Sequence, residues 1–139
     1  MKRGTIGASI IITIPVMLMG CSVYMLPGEI VGLVLNHRSV EQYLHPDEPG
    51  RLPVLVSTHL VYSVPLEKYG HPVRFLSDEE LIGKPHLRFT SVWAEDDGAT
   101  YGAEFEYESE GMVGSMTAER QADGSWILTK IETAENNTR

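Results

Sequence analysis

The sequence predicts an α+β domain in which strands dominate. Three observations carry that reading. From Tyr101 to Glu108, apolar Tyr101, Ala103, Phe105 and Tyr107 alternate with Gly102, Glu104, Glu106 and Glu108, the period of a strand with one buried face. Turn-forming clusters, Asp96-Asp97-Gly98, Ser109-Glu110-Gly111 and Ala122-Asp123-Gly124, recur between the apolar runs after Pro85, which spaces out consecutive hairpins. Upstream, Ser39-Val40-Glu41-Gln42 and Ser77-Asp78-Glu79-Glu80 have the capping-box pattern that opens short helices.

Taken in order, the chain opens on Met1-Lys2-Arg3, and residues 4–20 then carry no charge. A basic start, an apolar run and small residues at its end mark a secretory leader. The basic end stays on the cytoplasmic side while the apolar run enters the bilayer. Leu18-Met19-Gly20-Cys21 closes the run and contains the single cysteine. These four residues resemble the lipobox of bacterial lipoproteins, through Leu18, Gly20 and Cys21. The resemblance implies a leader of residues 1–20 cut between Gly20 and Cys21, a diacylglyceryl thioether on Cys21 and an acylated new N-terminus. Two or more acyl chains hold a protein stably where one holds it marginally, at ~0.8 kcal/mol per buried CH₂. In enteric-type lipoproteins an Asp after the cysteine favours the inner membrane, so by the same resemblance Ser22 favours the outer one. The residues leave two other readings open. Gly4 to Gly28 is free of charge and long enough for the ~20 residues of an uncleaved span, and a plain secreted form is the other. All three export the rest of the chain.

Without the leader 119 of the 139 residues remain, the size of one domain. Lys2 and Arg3 leave with it, so nine of the 11 Lys+Arg stand against 19 Asp+Glu, a formal charge of −10. That balance argues against nucleic acid and against electrostatic adsorption to anionic lipid. With Cys21 acylated there is no disulfide, no thiolate metal site and no cysteine nucleophile.

Residues 21–28 read as a tether and 29–135 as a single globular domain. The apolar stretch Glu29–Leu35 is too short for its period to separate strand from helix. Ser39 and Gln42 predict a short helix over roughly 40–45, stopped by Pro46. Residues 46–50 form a loop by turn chemistry. Val54–Ser63 is rich in β-branched residues and predicts a strand, ended by Pro65. Val73–Leu76 predicts a short edge strand. Ser77–Glu80 caps a further helical turn, stopped at Gly83. From Pro85 a four-stranded antiparallel meander is expected over about 86–132. Its first strand has Leu87, Phe89, Ser91 and Trp93 on one face, and Gly114 marks a bulge or a close approach in the third. Residues 136–139 are expected to fray.

Asp123-Gly124-Ser125-Trp126 followed by alternating apolar residues is similar to the final hairpin of NTF2-like (cystatin-like) domains of bacterial lipoproteins. The resemblance covers the last third, and the long N-terminal helix of those domains is missing or much shortened here. It implies a cone-shaped pocket that Trp93, Tyr101, Phe105, Tyr107 and Trp126 would line. A small sheet of another kind, with these aromatics as its core, is the other reading.

Glu104, Glu106 and Glu108 share one strand face, and no Lys or Arg occurs from Phe89 to Glu119 while eight acids do. They are the candidate surface for a basic partner protein; a solvated face that discourages edge pairing is the plainer alternative. His37, His45, His59, His71 and His86 have no metal-site spacing, no loop has calcium-ligand spacing, and neither GxSxG nor a P-loop is present, so no cofactor or metal is expected. The expected function is non-catalytic: an envelope lipoprotein, held to the membrane through Cys21, whose acidic domain binds a partner protein or stabilises an envelope assembly. A small-ligand-binding module and a small enzyme are the alternatives.

Overall fold

The computed structural model describes residues 23–136; the leader, Cys21 and Ser22, and residues 137–139, lie outside the described residues. The elements are α1 (Gly28–Leu35), α2 (Arg38–Glu41), β1 (Leu55–Ser57), β2 (Glu67–Lys68), β3 (His71–Pro72), β4 (Arg74–Leu76), β5 (Arg88–Glu95), β6 (Thr100–Tyr107), β7 (Met112–Arg120) and β8 (Trp126–Glu135). Strands dominate, and β5-β6-β7-β8 form the antiparallel meander.

Two bulges set the faces of the meander. Phe89 pairs with Phe105 but Ser91 with Glu104, which leaves Thr90 as the extra residue on β5. A one-residue insertion reverses the side-chain alternation beyond it. Phe89 and Val92 therefore face the core, whereas Ser91 and Trp93 fall on the outer face. The expected common face for Leu87, Phe89, Ser91 and Trp93 is thus corrected, and Trp93 is 40% exposed. On β8, Ala118 pairs with Leu128 but Thr117 with Lys130, so Thr129 is extra. Leu128 and Ile131 both pack on the core as a result, and Glu132 is turned outward.

Gly114 is a close approach rather than a bulge. A Cβ there would sit 2.4 Å from Phe105 Cζ and 2.9 Å from the Glu132 carbonyl oxygen. The bare backbone of β7 makes room for the Phe105 ring, which meets Phe89 at 5.7 Å between centroids. Phe105, Tyr107, Met112, Met116 and Ala118 are buried against Ile30, Val31, Val34 and Leu35 of α1 and Val40 and Leu44 beyond it.

Residues 29–35 are helical. The helix is apolar nearly all round because it is covered on two sides. It packs on β8, where Leu33 and Trp126 border one crevice. Across it, Gly28 and Gly32 lie against Tyr62, Val64 and Leu66. The layers are therefore the outer sheet face, the sheet, α1, and the 60–66 segment. Packing begins at Leu26, inside the stretch read as tether: Leu26 is fully buried, its N–H donates to Leu60 O (2.7 Å) and its carbonyl accepts from Tyr62 N (3.0 Å).

The helix expected at 40–45 starts earlier. The His37 ring accepts the Ser39 N–H (3.2 Å) and caps α2, so Ser39 lies inside it, and the Gln42 amide donates to Ser39 O (3.0 Å) instead of reaching back. The strand expected over 54–63 stops at Ser57. There the Ser57 hydroxyl accepts the His59 N–H (3.0 Å) and Leu60 adopts φ 63°, a local turn that competes with the ladder. β1 instead pairs in parallel with β4, and Val56 bridges Leu87. At Ser77 both capping-box bonds form, Ser77 N to Glu80 Oε1 (3.0 Å) and Glu80 N to Ser77 Oγ (3.3 Å), but residues 78–83 are turns. At the other end Asn136 donates its N–H to Gly111 O (2.5 Å).

Candidate functional site: the outer face of the sheet

The meander buries one face against the core, and the other carries exposed side chains, flanked at the β5 end of its rows by the 78–86 segment. Cross-strand rows on the open face follow from the register. Arg88, Glu106, Val113 and Ala134 make one row; Ser91, Glu104, Ser115 and Glu132 the next; Trp93, Gly102, Thr117 and Lys130 the third. Glu104 and Glu132 stand two strands apart, ~10 Å, and Glu104 and Glu106 ~7 Å along one strand. A groove of about 840 Å³ is lined by Glu104, Glu106, Glu132, Val113, Ser115 and Ala134 of this face, together with Ser39 of α2, Thr90, Phe105, Gly114 and Thr133.

Of the three carboxylates proposed from sequence, Glu104 and Glu106 lie on β6, whereas Glu108 opens the 3₁₀ turn after it. Glu104 accepts a hydrogen bond from the Ser91 hydroxyl (2.9 Å). No ion pair engages Glu104, Glu106, Glu108 or Glu132 among the described residues. Arg88 faces Glu106 across the strands, but its guanidinium is committed to Asp78 at 3.2 Å. A second groove of about 620 Å³ lies beside this row, where Glu106 and Glu108 share walls with Lys84, His86, Arg88 and Ile82.

The eight acids between Phe89 and Glu119 do not form one patch. Glu110 is taken by Arg51, whose side chain is 9% exposed and bonds it at 2.5 Å, and by His45 Nε2 at 3.2 Å. The Arg51 hydrogen bond holds the Glu110 carboxyl below its ordinary range. Asp78 is likewise lowered, first by Arg88 and then by the Ser57 hydroxyl, which donates to it at 2.5 Å. Glu95, Asp96 and Asp97 cluster at the β5–β6 hairpin, away from Glu108 at the other end of β6.

The histidines are dispersed. His37 caps α2, His45 bonds Glu110, and His86 Nδ1 lies 2.6 Å from Lys84 O. No group of three or more His, Cys, Asp or Glu able to hold a metal occurs among the described residues. The five aromatics considered for a pocket do not line one wall. Trp93 covers Gly102 on the outer face, Phe105 and Tyr107 are in the core, and Tyr101 meets Trp126 edge-on at 5.6 Å.

Glu132 is the site residue that sequence reasoning missed. Counted with strict alternation from Trp126 it falls on the core face; the bulge at Thr129 sends it outward. Ile131, out of phase with Trp126 and Leu128 in the sequence, was the one trace of that bulge.

No protein-family model, no curated protein and no solved structure matches this chain. No helix among the described residues is long and apolar enough to cross a membrane.

Proposed function

We propose that the chain is an exported, membrane-anchored protein whose acidic sheet face docks a basic partner protein, without catalysis. One observation supports this above others. Among the described residues, Glu104, Glu106 and Glu132 flank one groove without a paired cation, while Asp78, Glu110 and Glu41 each have one. Like charges ~7 Å apart along one strand and ~10 Å apart across the sheet repel. A basic partner converts that repulsion into attraction and is steered in fast at low salt. Val113 and Trp93, both more than one-third exposed, supply apolar contact on the same face.

The test is charge reversal in the full chain. Glu104→Lys, Glu106→Lys and Glu132→Lys together are expected to slow association at least tenfold and invert its salt dependence, while the thermal unfolding midpoint stays within a few degrees. A photocrosslinker at position 113 identifies the partner in wild type and is expected to lose it in the triple variant. The same crosslinked partner, bound with unchanged on-rate and salt response, would overturn the reading. The anchor is tested separately: Cys21→Ser is expected to abolish palmitate labelling and leave the precursor uncut. Labelling that persists in that variant eliminates the acylated-cysteine form.

A further inference from the structure

The sheet face is half of the charge pattern; the other half lies across α1. Two stretches, 22–28 and 60–66, contain no Asp, Glu, Lys, Arg or His in a chain that is 22% charged overall. The structure joins them through the Leu26–Leu60 and Leu26–Tyr62 backbone hydrogen bonds. Together they expose Val23 (67%), Tyr24 (47%) and Tyr62 (58%), with Ser63 and Pro65 beside them. Glu29 and Glu67 bound the patch in sequence. Three of the large exposed apolar side chains therefore sit where the chain enters the domain.

We infer that this uncharged surface rests on the headgroup layer of the membrane that holds the N-terminus, with Tyr24 and Tyr62 at the depth of the headgroups. The inference rests on the anchored reading but on neither of its chemical forms: an acylated Cys21 and an uncleaved apolar span both put the bilayer just before residue 22. Five residue steps then separate Cys21 from the fixed Leu26, at most ~18 Å of extended chain. A domain of this length has a radius of gyration of ~13 Å and is roughly 30 Å across. The link is too short for the domain to roll over and bring its far side to the bilayer. Tyrosine suits the position, since its ring sits among acyl ends while its hydroxyl stays wet. Charge selects the same side. An acidic domain is repelled by an anionic leaflet, and the uncharged patch is the face that approaches it at least cost. Because α1 and the sheet lie between this patch and the outer sheet face, the acidic groove is directed away from the membrane, open to a partner.

The experiment uses the full-length protein in nanodiscs containing lipids with a nitroxide on the headgroup. A fluorescent amino acid replaces Tyr62 in one sample and Glu104 in another, both on the surface. Quenching at position 62 is expected to exceed that at position 104 at least threefold, and Tyr24→Asp with a probe at 62 is expected to reduce it. Position 24 serves as a second probe site should the change at 62 unfold the domain. Equal quenching at 62 and 104, or none at either in a protein that stays in the disc, overturns the orientation. Intact mass distinguishes this from failure of the anchor. Neither acyl mass nor residues 1–20 on a protein that leaves the disc refutes the anchored reading, and the orientation falls with it.

Discussion

The meander and the segment between α1 and β5 are built on different principles. From Arg88 to Glu135 nearly every residue is in a ladder or a tight turn, and the inner side chains form the core. From Asn36 to Leu87 the ladders are two or three residues long. Beside the core residues it contributes, such as Val54, Val56 and Val61, long-range ties from charged side chains hold this region. Arg51 reaches Glu110 of the meander and the Tyr43 carbonyl; Asp78 joins Ser57 to Arg88; Lys68, nearly buried, bonds Glu41 and Asn36. A regular sheet is specified residue by residue through burial and period. The irregular region buries apolar side chains too, Val54, Val56, Val61 and Val73 among them, but without long ladders it also needs directional bonds to select one path. The two halves are expected to fail differently.

The largest effect belongs to the core of the meander. Phe105→Ala removes a ring packed on Phe89 and over Gly114 and is expected to lower stability by ~3–5 kcal/mol, a large share of what a domain this size has. Urea unfolding at neutral pH measures it. A loss similar to that of an exposed substitution would show that the two halves do not differ as described.

Next comes a tie of the irregular half. Arg51→Met keeps an unbranched apolar side chain but removes the guanidinium that lies over the Tyr107 ring and bonds Glu110 and Glu48, with an expected cost of ~1.5–3 kcal/mol. Its pH dependence separates it from a packing defect. Glu110 and Asp78 are held below the ordinary carboxylate range when folded, so the unfolded chain binds protons more readily. Their contribution is present above the unfolded value of ~4 and is lost as pH falls through the lowered folded value. Wild-type stability is therefore expected to drop on acidification from about pH 5. Arg51→Met should flatten that limb, whereas Phe105→Ala should shift the whole curve without changing its slope. Parallel curves for wild type and Arg51→Met in stepped-pH urea titrations would count against the tie.

Two glycines sharpen the contrast between the faces of the sheet. An added Cβ at Gly114 meets buried Phe105 and the Glu132 carbonyl, and at Gly102 it meets the Trp93 indole at 2.2 Å. The Phe105 ring is buried against Phe89 and the Glu132 carbonyl is backbone, so Gly114→Ala is expected to cost ~1–3 kcal/mol. Trp93 is partly in solvent and can swing aside, so Gly102→Ala should cost less and raise the solvent accessibility of an indole. Acrylamide quenching of tryptophan fluorescence reads that change.

The same contrast explains what was legible in the sequence. The meander was, because Tyr101 to Glu108 is buried on one face and carries the period openly. α1 was not, because the 60–66 segment and the sheet cover it from two sides and the helical period vanishes. The bulge at Thr90 leaves no compositional mark and the one at Thr129 leaves only the out-of-phase Ile131, which misassigned Trp93 and hid Glu132. Ser57–Asp78 and Arg51–Glu110 join residues far apart in sequence, and nothing local in Val54–Ser63 announced that the Ser57 hydroxyl would end the strand. Glu104, Glu106 and Glu108 were legible as outward acids; that Glu110 is paired with Arg51 and Glu108 leaves the strand was not.

The smallest expected effect on stability is at the outer face, and there it is informative because it is small. Glu106 sits mid-strand between Arg88 and Val113 and makes no ion pair among the described residues, since Arg88 is held by Asp78. Removing its carboxylate leaves the Arg88–Asp78 pair and both ladders in place, and relieves repulsion from Glu104 on the same strand. Glu106→Ala is therefore expected to change stability by less than ~0.5 kcal/mol, with a slight gain at low salt that disappears as salt screens the face. A loss of roughly 2 kcal/mol or more in urea unfolding, the size that marks a lost structural contact, would mean that Arg88 serves Glu106 as well as Asp78, and that the carboxylate belongs to the fold. A neutral or favourable change leaves the charge unexplained by folding, and the same variant should then weaken association with a basic partner. A residue whose removal the fold tolerates while binding does not is what a docking surface requires.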